Sequence, residues 1–251
     1  LLLEQVVARC EGVGSVLVLD EVVDIGAACG VLAGWDGRYD VDSVGAVVWR
    51  EFLGTYGIGS LTDYGPLLAV GFDPEDPIET PNTLVDPPAP GEEDKVLVSL
   101  GRGVLTLAQA GVALDSPLGA VQKAPRADKQ YGVPGGQGRD GTANVVTYDV
   151  LKTTVDPSTP RGEVLSDTTG LTKDGYVVNY GSSFVMALEL GQDGPRGQAF
   201  LTYGESDDPA SKHYADQTVL FSEQKWRPIV FSEADIAADP ELATLEVAGG
   251  G

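Results

Sequence analysis

Residues 71–91, GFDPEDPIETPNTLVDPPAPG, hold six prolines in 21 positions. Each proline fixes φ and lacks a backbone N–H, so neither a regular helix nor a central strand can run through this stretch. A fold that contains it must carry it as a connector. Its acidic residues invite a calcium reading, but the D-x-[DN]-x-[DN]-G order of a calcium loop is missing, so no metal site is assigned here.

Before the connector the chain reads as helical over residues 1–58. In GAACGVLAGW (26–35), Ala27, Cys29, Val31, Leu32 and Trp35 recur at three- and four-residue steps. A polar stretch, DGRYDVDSVG (36–45), follows, and Ser43 is placed to cap the next segment. In that segment, GAVVWREFLGTYG (45–57), Val48, Phe52 and Tyr56 repeat every four residues, and these aromatics are read as core. After the connector, residues 92–114 predict another helix, loosened by Gly101 and Gly103.

Beyond residue 115 the period changes. Residues 116–126 read as a short strand or turn, 131–141 as a glycine-rich loop, and TANVVTYDV (142–150) as an alternating strand. YVVNYGSSFVMALEL (176–190) is the longest strand pattern, and its FVMALEL run predicts burial on at least one face. The turn QDGPRG leads to QAFLTYG (198–204), giving a hairpin. Residues 211–226 predict a helix, RPIVF (227–231) a short strand, and 232–242 a last helix with Ser232 as N-cap, Asp235 at N3 and Pro240 at its end. The terminal LEVAGGG reads as an edge strand and tail. A mostly helical part (1–115) followed by a strand-rich part (116–251) makes an α+β arrangement, with no interdomain linker forced by composition.

Composition excludes several partners. Lysine and arginine number 16 against 38 acids, a formal charge of −22. Nucleic-acid binding needs a basic footprint, and an anionic membrane surface would repel such a chain. No apolar run approaches the length of a membrane span. The two cysteines, Cys10 and Cys29, sit on neighbouring helical patterns. They read either as two buried thiols or as one bridge, the second needing an oxidising compartment. Without a C-x-x-C or a Cys/His cluster there is no zinc site.

Candidate reaction centres each fail a chemical test. Gly136-Gln-Gly138-Arg-Asp-Gly141 matches G-x-G-x-x-G, but dinucleotide binding needs a preceding strand and a helix opening after the glycines. Pro134 precedes and a β-type run follows, so no cofactor is expected. His213 is the only histidine. Near Tyr214, Asp216 and Gln217 it reads as a residue of a helix entry, although a small hydrolase using His213 with Asp216 or a serine remains an alternative. Glu205, Asp207 and Asp208 read as acids complementing a helix N-terminus. No complete catalytic constellation is present, and no catalytic, cofactor-binding or metal-binding residue is assigned.

Several stretches nevertheless resemble one family. VLAGWDGRYDVDSVGAVVWREF (31–52), LGAVQ (118–122), GVPGGQGRDGTANVV (132–146) and NYGSSFVMALEL (179–190) are similar to the β subunit of penicillin acylase-like enzymes. The long spacing SxDPxSxHYxDQTxLFSxxxWRPxxFxExxI, within 201–242, resembles that family's C-terminal end, in the branch of the aculeacin A and acyl-homoserine lactone acylases. The likeness covers nearly the whole chain and is weakest over 71–115.

That resemblance implies an N-terminal nucleophile hydrolase of four-layer αββα fold. A precursor cuts itself, the freed terminal serine of the β subunit attacks an amide carbonyl, and its own α-amine serves as base. It implies an N-acylated small molecule as substrate, an α subunit and the preceding part of the β subunit as partners, and a periplasmic or extracellular location. Leu1 is not serine, and Ser182 and Ser183 lie inside a strand pattern, so the nucleophile is expected upstream. The opening LLLEQVVARC reads as the middle of a helix, which fits a chain that starts inside a domain. This chain is therefore expected to be inactive alone and to supply scaffold. The alternative is a non-enzymatic acidic module that binds a carbohydrate or protein partner.

Overall fold

The computed structural model describes residues 2–56, 67–147, 162–192, 194–240 and 242–245. The first helix, α1 (Leu2–Arg9), carries Glu4 in its first turn and Arg9 in its last, each at the end its charge suits.

The helical reading of 1–58 needs one correction. Ser15–Val18 (β1) and Glu21–Asp24 (β2) form an antiparallel hairpin with Val16 opposite Val23 and Leu17 opposite Val22. Leu19 and Asp20 both take positive φ, 47° and 67°, the backbone that lets a two-residue turn follow the twist of the strands. The valines of this segment satisfy a helical count, but their β-branches favour extended backbone. Val18 and Val23 point into the core while Leu17 and Val22 face solvent, the alternation of a half-buried ribbon.

Next come α2 (Gly26–Ala33) and α3 (Ala46–Tyr56). Cys10 and Cys29 are joined by a disulfide, with Cα atoms 6.0 Å apart, which resolves the choice between thiols and a bridge. Ser43 does not cap α3. The helix begins three residues later, and the Ser43 hydroxyl accepts instead from the Asp40 N–H, closing the polar turn. Every residue from Ala46 to Gly54 is buried, so α3 is the central helix. Trp35, Trp49, Phe52 and Tyr56 form a chain of rings with centroids 5.2–6.0 Å apart, as core packing requires.

The connector behaves as its prolines demand. Among the described residues Leu68–Val70 (β3) and Asn82–Leu84 (β4) pair only with each other, as a two-stranded antiparallel sheet. The helix expected over 92–114 is α4 (Lys95–Ala110). Asp94 caps it by accepting from the Val96 and Leu97 N–H groups, and Gly111, in the left-handed region, ends it. Gly101 and Gly103 do not loosen this helix; they let it approach its neighbours. A Cβ on Gly103 would lie 3.2 Å from the Glu51 and Phe52 backbone of α3, and one on Gly101 would lie 2.8 Å from the Val16 and Val18 methyls.

In the second part, α5 (Leu118–Val121) leads into β5 (Gln122–Arg126). β5 pairs antiparallel with β6 (Lys129–Gly132) and parallel with β8 (Tyr176–Val177). Val146–Thr147 (β7) pairs with Tyr180–Gly181 (β9). The strand expected over 142–150 is thus two residues long where described, and 148–150 lie outside the described residues. Phe184–Gly191 (β10), Gly194–Leu201 (β11) and Arg227–Pro228 (β12) form a three-stranded sheet in that order; the expected hairpin is there, but Pro195, Arg196 and Gly197 of the expected turn already pair within it, and its second strand ends at Leu201.

The pattern 176–190 is therefore not one strand. Asn179 and the Ser182-Ser183 pair, poor strand formers, divide it among three sheets. Its FVMALEL run is not buried on either face: only Val185 is half-buried, and the rest is exposed. The helix expected from 211 starts at Asp216 as α6 (Asp216–Ser222), because the Ser211 hydroxyl accepts from the His213 N–H and holds a turn there. The last helix, α7 (Glu233–Ala238), has Ser232 as its cap, its hydroxyl accepting from the Asp235 N–H. The strand read into the terminal residues falls mostly on 246–251, outside the described residues. Helices and antiparallel strands together give an α+β fold.

Candidate functional site

The sequence places Arg50 and Glu51 side by side in the most buried helix of the chain, where an ion is costly unless it is paired. Pairing is what the fold supplies. The Arg50 Nε donates to Asp140 Oδ2 at 2.9 Å, and both side chains have no exposure to solvent. Its Nη1 donates to Gln122 Oε1 at 2.9 Å, and its Nη2 reaches the Gly135 carbonyl at 3.4 Å. The guanidinium lies between the rings of Tyr39 and Tyr176, 5.3 and 4.7 Å from their centroids. Gln122 in turn donates to the Val133 and Gly135 carbonyls.

This network explains the glycine-rich loop. Gly138–Asp140 is a short 3-10 turn, and Asp140 Oδ2 accepts from the Gln137 N–H at 2.7 Å as well as from Arg50. Gln137 Nε2 donates to the Thr169 carbonyl. The glycines therefore fold a carboxylate back onto a buried arginine and do not cradle a phosphate. The Tyr176 hydroxyl, on the ring that faces Arg50, donates to Glu51 Oε1. Arg50 and Glu51 thus tie α3 to β5, to the 133–141 loop and to β8.

Burial holds the Glu51 carboxyl above its ordinary value of 4.5, against the opposing pull of the Tyr176 hydrogen bond and the Arg50 charge. The folded state then binds this proton more tightly than the unfolded chain does. Its stabilising contribution is full below pH 4.5 and is lost as pH rises through the elevated folded value. Glu51→Gln removes that linkage while keeping an acceptor for Tyr176. Urea titrations across this range are expected to show the unaltered protein losing stability relative to Glu51→Gln as pH rises; a difference that stays constant with pH refutes this.

Chemically the cluster is sealed. Arg50, Glu51, Gln122 and Tyr176 have no accessible surface, so no substrate atom reaches them. A separate cavity of about 490 Å³ opens beside β5, lined in part by Ala120, Val121, Lys123, Gln130, Lys173 and Val177. Among the described residues its lining holds no serine, threonine, cysteine or histidine; Asp174 lies beside the lysines, and the Lys173 ammonium donates to the Gln109 carbonyl.

The residues singled out by sequence are scattered. His213 is exposed, with Nδ1 2.9 Å from Asp216 Oδ2. Slight burial pulls the Asp216 carboxyl up, but hydrogen bonds from His213 and the Gln217 N–H leave it net below the ordinary range. No serine hydroxyl is hydrogen-bonded to that imidazole among the described residues. Asp208 accepts from the Ala210 N–H in a turn well before α6, so the 205–208 acids do not serve that helix; the acid in its first turn is Asp216, and no side chain caps it. Ser182 accepts from the Val145 N–H in the break between β9 and β10. The Arg50–Glu51–Asp140 network was missed. Its one visible signal is a charged pair inside an otherwise apolar helix.

Comparison with known proteins gives a consistent answer. The model of the penicillin amidase family matches residues 2–238. Aculeacin-A acylase of Actinoplanes utahensis is 33% identical over 227 residues, covering 90% of this chain and 25% of that protein. The acyl-homoserine lactone acylase PvdQ of Pseudomonas syringae pv. syringae is 29% identical over 226 residues, covering 88% of this chain and 25% of that protein. The PvdQ of Pseudomonas putida is 29% identical over 227 residues, with coverages of 89% and 25%. The chain spans about a quarter of the length of these relatives.

Proposed function

The chain belongs to the penicillin amidase family, and from that premise we propose that it is the C-terminal part of the β subunit of an acylase. That enzyme hydrolyses an N-acyl amide to a carboxylic acid and an amine. Its nucleophile is the N-terminal serine of the β subunit, upstream of Leu1, with the serine's own α-amine as base. An oxyanion hole stabilises the tetrahedral intermediate and also lies outside these residues. The present chain contributes scaffold and hydrolyses nothing alone.

One observation carries this reading: the family match runs almost from end to end, and the relatives bear acylase names. The sealed polar cluster is consistent with it, since it offers support without a reaction centre. The substrate is an N-acylated small molecule, of acyl-homoserine lactone, lipopeptide or β-lactam type. The partners are an α subunit and the rest of the β subunit. A periplasmic or extracellular location is supported by the Cys10–Cys29 bridge, which persists in oxidising surroundings. Among the described residues no helix is long and apolar enough to cross a membrane.

The test is an assay of the complete parent polypeptide on N-acyl-homoserine lactones and acylated lipopeptides, with and without Ser→Ala at its processing junction. Hydrolysis that disappears in the variant supports the proposal. Hydrolysis that survives it, or hydrolysis by residues 1–251 alone, overturns it.

A further inference from the structure

The three-stranded sheet has two unlike faces. On one, Val185 lies opposite Phe200, and Phe200 packs against Phe221 and Trp226, with ring centroids 5.4 and 4.4 Å away. That side anchors the hairpin to the body of the protein. The register puts Phe184, Met186, Leu188 and Leu190 on the opposite side, facing Leu201, Ala199, Gly197 and Pro195. None of these eight positions carries a polar side chain, and Ile229 adds to the same surface beside Gly197. Phe184, Met186, Leu188 and Leu190 are 54%, 49%, 50% and 81% exposed.

A row of large apolar side chains in water marks an interaction surface. The edge repeats the message. Among the described residues β10 is an outer strand of this sheet, eight residues long and regularly paired along its other side. Natural edges are blunted by charge, proline or a bulge, and of these Phe184–Gly191 carries only the single charge of Glu189, on the opposite face from the apolar row.

The structure assigns this face to one occupant: an apolar layer contributed by the parent polypeptide outside residues 1–251. This rests on the proposed function, in which the chain is part of a larger subunit. The relatives supply the length, since the matched region is only 25% of each. Charge argues against the other occupants. Two copies, each with a net charge of −22, would repel one another as they approached, and an anionic lipid surface would repel the chain.

The experiment uses the complete parent, carrying Leu188→Cys or, as an exposed reference, Ile78→Cys, whose site is 89% exposed. Each variant is reacted with a maleimide. Labelling at position 188 is expected to be on the order of a hundredfold slower than at 78, because it must wait for local opening. Protection independent of protein concentration supports the assignment. Equal rates overturn it, as does protection that needs high protein concentration (a second copy) or added phosphatidylglycerol vesicles (a membrane). If Leu188→Cys fails to fold, hydrogen exchange of the 184–191 peptide in the unaltered parent gives the same distinction. N-acyl hydrolysis measured on the same sample separates the two readings. An active parent with a fast-reacting site 188 removes the covering layer alone, and an inactive parent with a protected site removes the acylase reading alone.

Discussion

Arg50→Leu is expected to destabilise the fold by about 3–5 kcal/mol, because it strands the Asp140 carboxylate in the interior without its cation. The side chain is close enough in volume that a cavity is not the main cost. The loss comes from one uncompensated charge together with Gln122 Oε1 and the Gly135 carbonyl, which lose the guanidinium as donor. Arg50→Lys keeps the charge but not the planar fork, so an intermediate loss is expected. The double variant Arg50→Leu/Asp140→Leu removes both members of the ion pair, so the loss should be smaller than the sum of the two single changes. Denaturant midpoints of the parent protein, with slopes checked for constancy, measure all of these. A cost for Arg50→Leu near that of an ordinary surface substitution, about 0.5 kcal/mol or less, would show that the ion pair is not what holds the 133–141 loop.

The second large effect is at the disulfide. The bridge spans a sequence separation of 19, and a loop of this size stabilises by about 3 kcal/mol through restriction of the unfolded chain. Cys10→Ala/Cys29→Ala, or reduction of the unaltered protein, should lower the unfolding midpoint accordingly. The loop it closes contains the whole β1–β2 hairpin, whose inward valines meet α4 at Gly101. The first amides to lose protection should therefore be those of residues 11–28. An unchanged midpoint on reduction would contradict this.

The sequence was legible wherever one local rule governed. The six prolines dictated a connector, Ser232 and Pro240 framed α7, and the heavily apolar stretches around Val48–Tyr56 and Lys95–Ala110 became packed helices. It misled where two periods coexist. Val16, Val18, Val22 and Val23 fit a helix by spacing, and the left-handed pair Leu19-Asp20, neither of them glycine or asparagine, gives no turn signal. It misled again at 184–190, where hydrophobicity was read as burial; the run is exposed because nothing described lies over it. The polar cluster was out of reach for another reason. Arg50, Gln122, Asp140 and Tyr176 are up to 126 positions apart, and only the tertiary fold makes them neighbours. The family likeness, by contrast, lay in long spacings that no single element controls.

One tie near the start of the chain has a practical consequence. Arg9 donates to the Val85 carbonyl and to Asp94, and the Leu84 N–H donates to Gln5. The far end of the proline-rich connector is thus stitched to the first helix without any covalent help. A protease that clipped the exposed 72–79 stretch would leave two polypeptides still clasped together, and only denaturing electrophoresis would reveal the cut.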